Sequence, residues 1–193
     1  MEKNSAKIML NAPLSEGKVR SLKVGNEVLL SGKIFLMRDK VHRRALEENL
    51  PELYNAVIYH CGPIVKKENG KTVVLAAGPT TSARMNAYMP TLLKKYEMRA
   101  IIGKGGMDER TLLEMEKRGC VYFSAVGGAA SLLANSFRKI MPLRFLEEFG
   151  SPEALWEAEV ENFPAIVTMD SKGNSLHSNV LESSKAALKR LIG

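Results

Sequence analysis

At 193 residues, with 45% apolar and 25% charged side chains, the chain is long enough to bury a core without disulfide or metal staples. No apolar run approaches the roughly 18 residues that cross a bilayer, and residues 1–7, Met-Glu-Lys-Asn-Ser-Ala-Lys, lack the apolar core of a secretory signal. A cytoplasmic protein with no membrane association, one domain over residues 1–193, is the expectation. The net charge of +7, from 28 Lys and Arg against 21 Asp and Glu, suits an anionic partner, but the cations are dispersed and aromatics make up only 6%. A nucleic-acid binder would set stacking platforms among its cations, so a small polyanion fits better.

In chain order, Val19–Val24 and Glu27–Met37 read as strands around the turn Gly25-Asn26. Asp39–Asn49 follows as a helix. Ile64–Glu68 and Lys71–Ala76 flank Asn69-Gly70 as a second hairpin, and Thr81–Lys95 reads as a helix. Asp108–Arg118 opens on acidic residues, ends on Lys117-Arg118 and is closed by Gly119, a helix whose charges complement its dipole. Gly128–Asn135 is short and rich in small residues. Ala165–Asp170 and Ser175–Asn179 enclose a turn, and a last helix runs from about Leu181 to Ile192 with Leu181, Leu188 and Leu191 on one stripe. Strands alternate with helices, yet hairpins interrupt them. A mixed, layered α/β domain is expected, and no G-x-G-x-x-G supports a dinucleotide fold.

The chemistry concentrates where strands give way to helices, because helix N-termini carry unpaired N–H groups and the positive dipole end. Met37-Arg38-Asp39-Lys40-Val41-His42 offers Arg38 as a fork for a carboxylate, Asp39 as a cap and His42 on the same turn. In Gly78-Pro79-Thr80-Thr81-Ser82-Ala83-Arg84 a Thr hydroxyl is expected to cap the helix, with Arg84 four residues after Thr80. A cation in a first helical turn opposes the dipole, a local violation of the kind that function imposes. Gly103-Lys104-Gly105-Gly106 holds a lysine on a loop open to close approach, and it is not a P-loop. If these junctions meet, they make a pocket of three positive charges and a hydroxyl suited to a small dianion. The same residues also read as a surface arginine, ordinary caps and an exposed lysine. His60 and His177 have no metal-ligand spacing and read as structural, Trp156 reads as a core or interface anchor, and Cys61 and Cys120 alone hold no cluster or four-thiolate zinc.

Taken in order, Arg38-Asp39-x-x-His42, Gly62-Pro63, Gly78-Pro79-Thr80-Thr81-Ser82-x-Arg84-Met85, Gly103-Lys104-Gly105-Gly106 and Asp170-Ser171-Lys172-Gly173-Asn174-Ser175 resemble the beta subunit, or C-terminal half, of class I (iron–sulfur) fumarate hydratases and L-tartrate dehydratases. The resemblance covers nearly the whole chain. It implies a swivelling β/β/α domain and a hydro-lyase active with a cluster-bearing alpha subunit in a heterodimer or higher hetero-oligomer. The 4Fe-4S cluster would be carried by that partner, with no metal on this chain. The implied binding residues for a C4 dicarboxylate are Arg38, Thr80, Arg84 and Lys104, and the implied catalytic residues are Thr80 and His42. Fumarate hydration to malate is the expected reaction, with tartrate dehydration or a non-catalytic anion-binding module as alternatives.

Overall fold

The computed structural model describes residues 7–192; the leader expectation for residues 1–7 therefore falls almost wholly outside the described residues. In chain order the elements are β1 (Ile8–Ala12), α1 (Glu16–Ser21), β2 (Glu27–Met37), α2 (Asp39–Glu47), β3 (Val57–His60), β4 (Ile64–Glu68), β5 (Lys71–Ala76), α3 (Met89–Tyr96) and β6 (Ala100–Gly103). Then follow α4 (Glu109–Arg118), β7 (Val121–Ser124), α5 (Ala130–Ala134), β8 (Phe137–Arg144), α6 (Leu146–Phe149), β9 (Leu155–Met169) and α7 (Leu176–Ile192). Short 3-10 turns cover Pro51–Leu53 and Ser82–Met85.

Strands β2, β3, β6 and β7 lie parallel, with Phe35 opposite Ile58, Val57 opposite Ala100 and Gly103 opposite Ser124. The long β9 pairs antiparallel with both β7 and β2. The ladder thus runs β2–β3–β6–β7–β9 and returns to β2, with β1 and β8 added at its margins. Side chains alternate along each strand and feed two cores. Leu36, Tyr59, Ile102, Phe123, Trp156 and Phe163 pack in one. Met37, Ile58, Ile101 and Tyr122 face α2, α3 and α4 through Val41, Leu92, Leu93 and Met115 in the other. With both faces covered, the central strands read as continuous apolar runs rather than half-polar ones. The expected mixed, layered α/β fold is what forms.

Some local readings are corrected. Residues 19–24 do not pair with β2; Ser15 accepts from the Lys18 N–H at 3.2 Å and opens α1, whose Val19 is buried. That cap outcompetes the strand propensity of Val19, while Val24 lies in the turn that follows α1. Residues 176–179 begin α7 instead of a strand. The helix expected over 81–95 is divided, because Pro90 stands in the first turn of α3, where its missing N–H costs nothing. The Asn69-Gly70 hairpin forms as read, with φ of +50° and +76° at the two turn residues. Leu181, Leu188 and Leu191 stay exposed on α7, and no helix among the described residues is long and apolar enough to cross a membrane.

Candidate functional site

The carboxyl ends of the four parallel strands bring the junctions together. Arg38 directly follows β2, and Lys104 directly follows β6. Between them the segment after β5 crosses back. The Thr80 N–H donates to the His60 carbonyl at the end of β3 (2.7 Å), and the Ser82 N–H donates to the Lys104 carbonyl (3.0 Å). Thr81 and Lys104 form an isolated parallel bridge. The residues Arg38, Thr80, Arg84 and Lys104 therefore sit on one connected rim, although 66 positions separate the first from the last.

The electrostatics differ from three free cations. Arg84 grips Asp39 with two prongs, Nε to Oδ1 at 3.1 Å and Nη2 to Oδ2 at 2.6 Å. Arg38 Nη2 lies 3.3 Å from Glu153 Oε1 and 3.9 Å from Asp39 Oδ2. Two guanidiniums and two carboxylates cancel, which leaves Lys104 as the exposed cation of the rim; among the described residues it has no ion pair. Neither arginine is exhausted. Arg84 uses two of its five N–H groups on Asp39 and is 49% exposed, so its other edge stays open to an anion. Arg38 Nε is buried without a hydrogen-bond partner.

Two expected caps are replaced. Asp39 is the first residue of α2 rather than its cap; the Lys40 N–H is satisfied by Glu153 Oε2 at 3.1 Å, more than 100 residues away. Thr81 precedes the 3-10 turn and no side chain caps it, so the Thr80 hydroxyl is not committed to helix capping.

Beneath the rim lies a buried polar chain that spacing did not reveal. His42 Nδ1 is 2.8 Å from the Arg38 carbonyl and its Nε2 is 3.2 Å from His60 Nε2. His60 Nδ1 is 2.9 Å from Ser82 Oγ, which is 2.8 Å from the Tyr122 hydroxyl. Burial pulls the His42 pKa down to about 4 against weaker opposing effects of the Arg38 carbonyl and Asp39. Burial, then the neighbouring His42, holds His60 well below its ordinary range. His42, fully buried with both ring nitrogens engaged, does not face the solvent side of the rim. His60 sits 18 residues from His42, and only the strand register that places it at the end of β3 beside Met37 brings the rings together. His177 Nε2 bonds Thr168 Oγ1 at 2.9 Å.

The Asp170–Asn174 segment is architectural. The buried Asp170 accepts from the N–H groups of Lys172 (3.0 Å), Asn174 (3.2 Å) and Val24 (3.2 Å), closing the turn after β9 onto the entry to β2. Trp156 is a core residue, its Nε1 donating to the Ser151 carbonyl at 2.8 Å.

For metals, the described residues do not make a cluster site. Cys61 and Cys120 are both buried, burial pushes each thiol up to about 12, and no group of three or more potential ligands is gathered among the described residues.

Fold and rim together define an α/β domain that gathers cationic and hydroxyl side chains at the carboxyl ends of parallel strands, the place where such sheets bind ligands. The family model described as Fumarase C-terminus matches residues 1–180, and the chain belongs to that family. It is 46% identical over 187 residues to a putative L(+)-tartrate dehydratase subunit beta of Methanocaldococcus jannaschii, covering 93% of this chain and 96% of that one. It is 44% identical over 185 residues to a putative fumarate hydratase class I of Geobacillus stearothermophilus, covering 95% of this chain but 36% of that protein. The L(+)-tartrate dehydratase subunit beta of Escherichia coli K12 is 34% identical over 179 residues, covering 88% of this chain and 86% of that one. The chain thus corresponds in length to a whole subunit of some relatives and to about a third of another.

Proposed function

We propose that this chain is the cluster-free beta half of a cytoplasmic hydro-lyase, a single functional domain that works with a cluster-bearing alpha subunit to hydrate fumarate reversibly to malate. The observation that carries the reading is the linked rim of Arg38, Thr80, Arg84 and Lys104 in a chain of the fumarase C-terminal family. A C4 dicarboxylate needs two cationic grips, which the open edge of Arg84 and the ammonium of Lys104 supply, with Arg38 beside them. These cations favour the state in which negative charge builds on the carbon skeleton, and that preference accelerates the reaction. Thr80 is anchored on the same rim through its N–H to the His60 carbonyl, and we assign its hydroxyl to the proton at the reacting carbon. His42, buried behind Arg38, serves that arginine rather than the substrate proton. A 4Fe-4S cluster on the partner would supply the Lewis acid for the hydroxyl.

Tartrate dehydration is the second reading, favoured by the near full-length match to a protein named as a tartrate dehydratase beta subunit. The test is anaerobic reconstitution of the purified chain with a cluster-loaded alpha subunit, assayed on fumarate, malate and L-tartrate. Turnover should appear only in the mixture. Turnover by this chain alone, or a loaded mixture inert toward all three, refutes the proposal.

A further inference from the structure

With both rings neutral, the buried chain below the rim has one arrangement of protons that satisfies every partner. A carbonyl oxygen only accepts, so the contact of the Arg38 carbonyl with His42 requires the proton on His42 Nδ1. In the neutral ring Nε2 is then an acceptor, and His60 must present Nε2–H to it across 3.2 Å. His60 Nδ1 is left as an acceptor and takes the Ser82 O–H at 2.9 Å. Ser82 Oγ in turn accepts from the Tyr122 O–H at 2.8 Å, and the Gly106 backbone faces the phenol oxygen. Every hydrogen bond points the same way, from the glycine loop that carries Lys104 to the carbonyl of Arg38. Flipping one tautomer would set two acceptors or two donors against each other in a site where His42, His60, Ser82 and Tyr122 are all fully buried.

The surroundings are shaped for this chain. A Cβ at Gly103 would collide with Ser82 Oγ and lie 2.7 Å from the Tyr122 hydroxyl and 3.3 Å from His60 Nδ1. The first glycine of the Gly103–Gly106 loop thus leaves room for the side chains below it, not for a ligand above. The backbones of its two middle members are tied to the rim as well: the His60 carbonyl holds the Thr80 N–H, and the Ser82 N–H donates to the Lys104 carbonyl.

We propose that Tyr122, Ser82, His60 and His42 form a one-way hydrogen-bonded strap that fixes Arg38, Thr80 and Lys104 relative to one another, making His60, Ser82 and Tyr122 positioning residues for the anion-binding rim. The role in substrate handling rests on the hydro-lyase reading above; the strap itself does not. Preorganised binding groups lose less on engaging a ligand, and a small misplacement of one of them is felt in turnover.

Ring-nitrogen NMR of the full-length, 15N-histidine-labelled chain near neutral pH tests the strap without any turnover. His42 should be the Nδ1–H tautomer and His60 the Nε2–H tautomer. Ser82→Ala removes the donor to His60 Nδ1, so both rings should lose their single tautomer, and Ser82→Thr, which keeps the hydroxyl, should restore them. In the reconstituted enzyme kcat/KM should fall about tenfold for Ser82→Ala and recover with Ser82→Thr. The opposite tautomer at either ring of the unaltered chain overturns the strap, whatever the variants do. Scrambled rings in Ser82→Ala with unchanged kcat/KM overturn the positioning role. A reconstituted unaltered enzyme inert toward fumarate and tartrate removes the hydro-lyase reading, and the positioning role with it, while the ring spectrum still decides the strap.

Discussion

Arg84 and Asp39, 45 residues apart in sequence, meet in a two-pronged ion pair that joins the turn after β5 to the first residue of α2. The pair is half exposed, so its worth to folding is small, about 0–1 kcal/mol, and its value lies in aiming the guanidinium. Arg84→Lys keeps the charge but cannot hold Asp39 with one edge and a substrate carboxylate with the other. In the reconstituted enzyme kcat/KM should fall about tenfold to a thousandfold, equivalent to about 1.4–4 kcal/mol of transition-state stabilisation. Asp39→Asn should lower kcat/KM in the same direction with little change in the urea midpoint. Unaltered kinetics in Arg84→Lys would make this arginine a surface residue.

Thr80 separates chemistry from folding more cleanly than its sequence context suggests. Its backbone N–H is the structural contact, 2.7 Å from the His60 carbonyl, and its hydroxyl caps no helix. Thr80→Ala should therefore change the unfolding free energy by less than about 0.5 kcal/mol while removing nearly all kcat. Thr80→Ser should retain part of it. An alanine variant with full kcat would show that the hydroxyl has no part in proton transfer.

The legible part of the fold was the part written in local signals. The Asn69-Gly70 hairpin, the Asp108-capped helix and the junctions at Arg38, Thr80 and Lys104 all follow from turn chemistry, capping and the alternation of strand with helix. What stayed hidden depends on long-range pairing. Strands β8 and β9 carry Pro142 and Pro164 and alternate irregularly, yet β9 closes the ladder by pairing with both β7 and β2. The charge balance of the rim was hidden for the same reason, since Glu153 reaches Arg38 across 115 positions. His60 looked like an isolated core histidine because its partners lie on α2, on the turn after β5 and on β7.

Gly103 illustrates a motif whose reason is internal. The loop reads as an invitation to a ligand, yet it is Gly105 whose Cβ direction opens onto free space, while Gly103 is walled in by Ser82, Tyr122 and His60. Gly103→Ala should destabilise the chain by about 1–3 kcal/mol, as overpacking does in a core that cannot yield. Gly105 has φ of +82°, so Gly105→Ala carries backbone strain but no collision. Ring-nitrogen NMR distinguishes the two: both variants should unfold at lower urea, but only Gly103→Ala should disturb the His60 ring resonances.

Acid should weaken this protein well before its carboxylates protonate. His42 is buried and neutral, with its pKa pulled down to about 4 from an ordinary 6.5, and His60 is displaced in the same direction. Above pH 6.5 both folded and unfolded chains carry neutral rings, and the full stability is present. As pH falls below 6.5 the unfolded chain takes up protons that the folded chain refuses, and stability is lost until the folded pKa is passed. For His42 alone the loss reaches about 2 kcal/mol by pH 5 and about 3 kcal/mol by pH 4. His60 adds to it, and the partly buried His177, lowered by burial, adds a smaller share. The carboxylates with lowered pKa values, Glu16, Asp108 and Glu114, exert most of their effect below this window, so a comparison of pH 7.5 with pH 5 reads mainly the histidines. Urea unfolding should show a clear drop in stability between the two, and His177→Gln should leave most of it in place. A flat profile from pH 7.5 to 5 would mean that His42 and His60 are not held neutral and that the buried chain carries a proton.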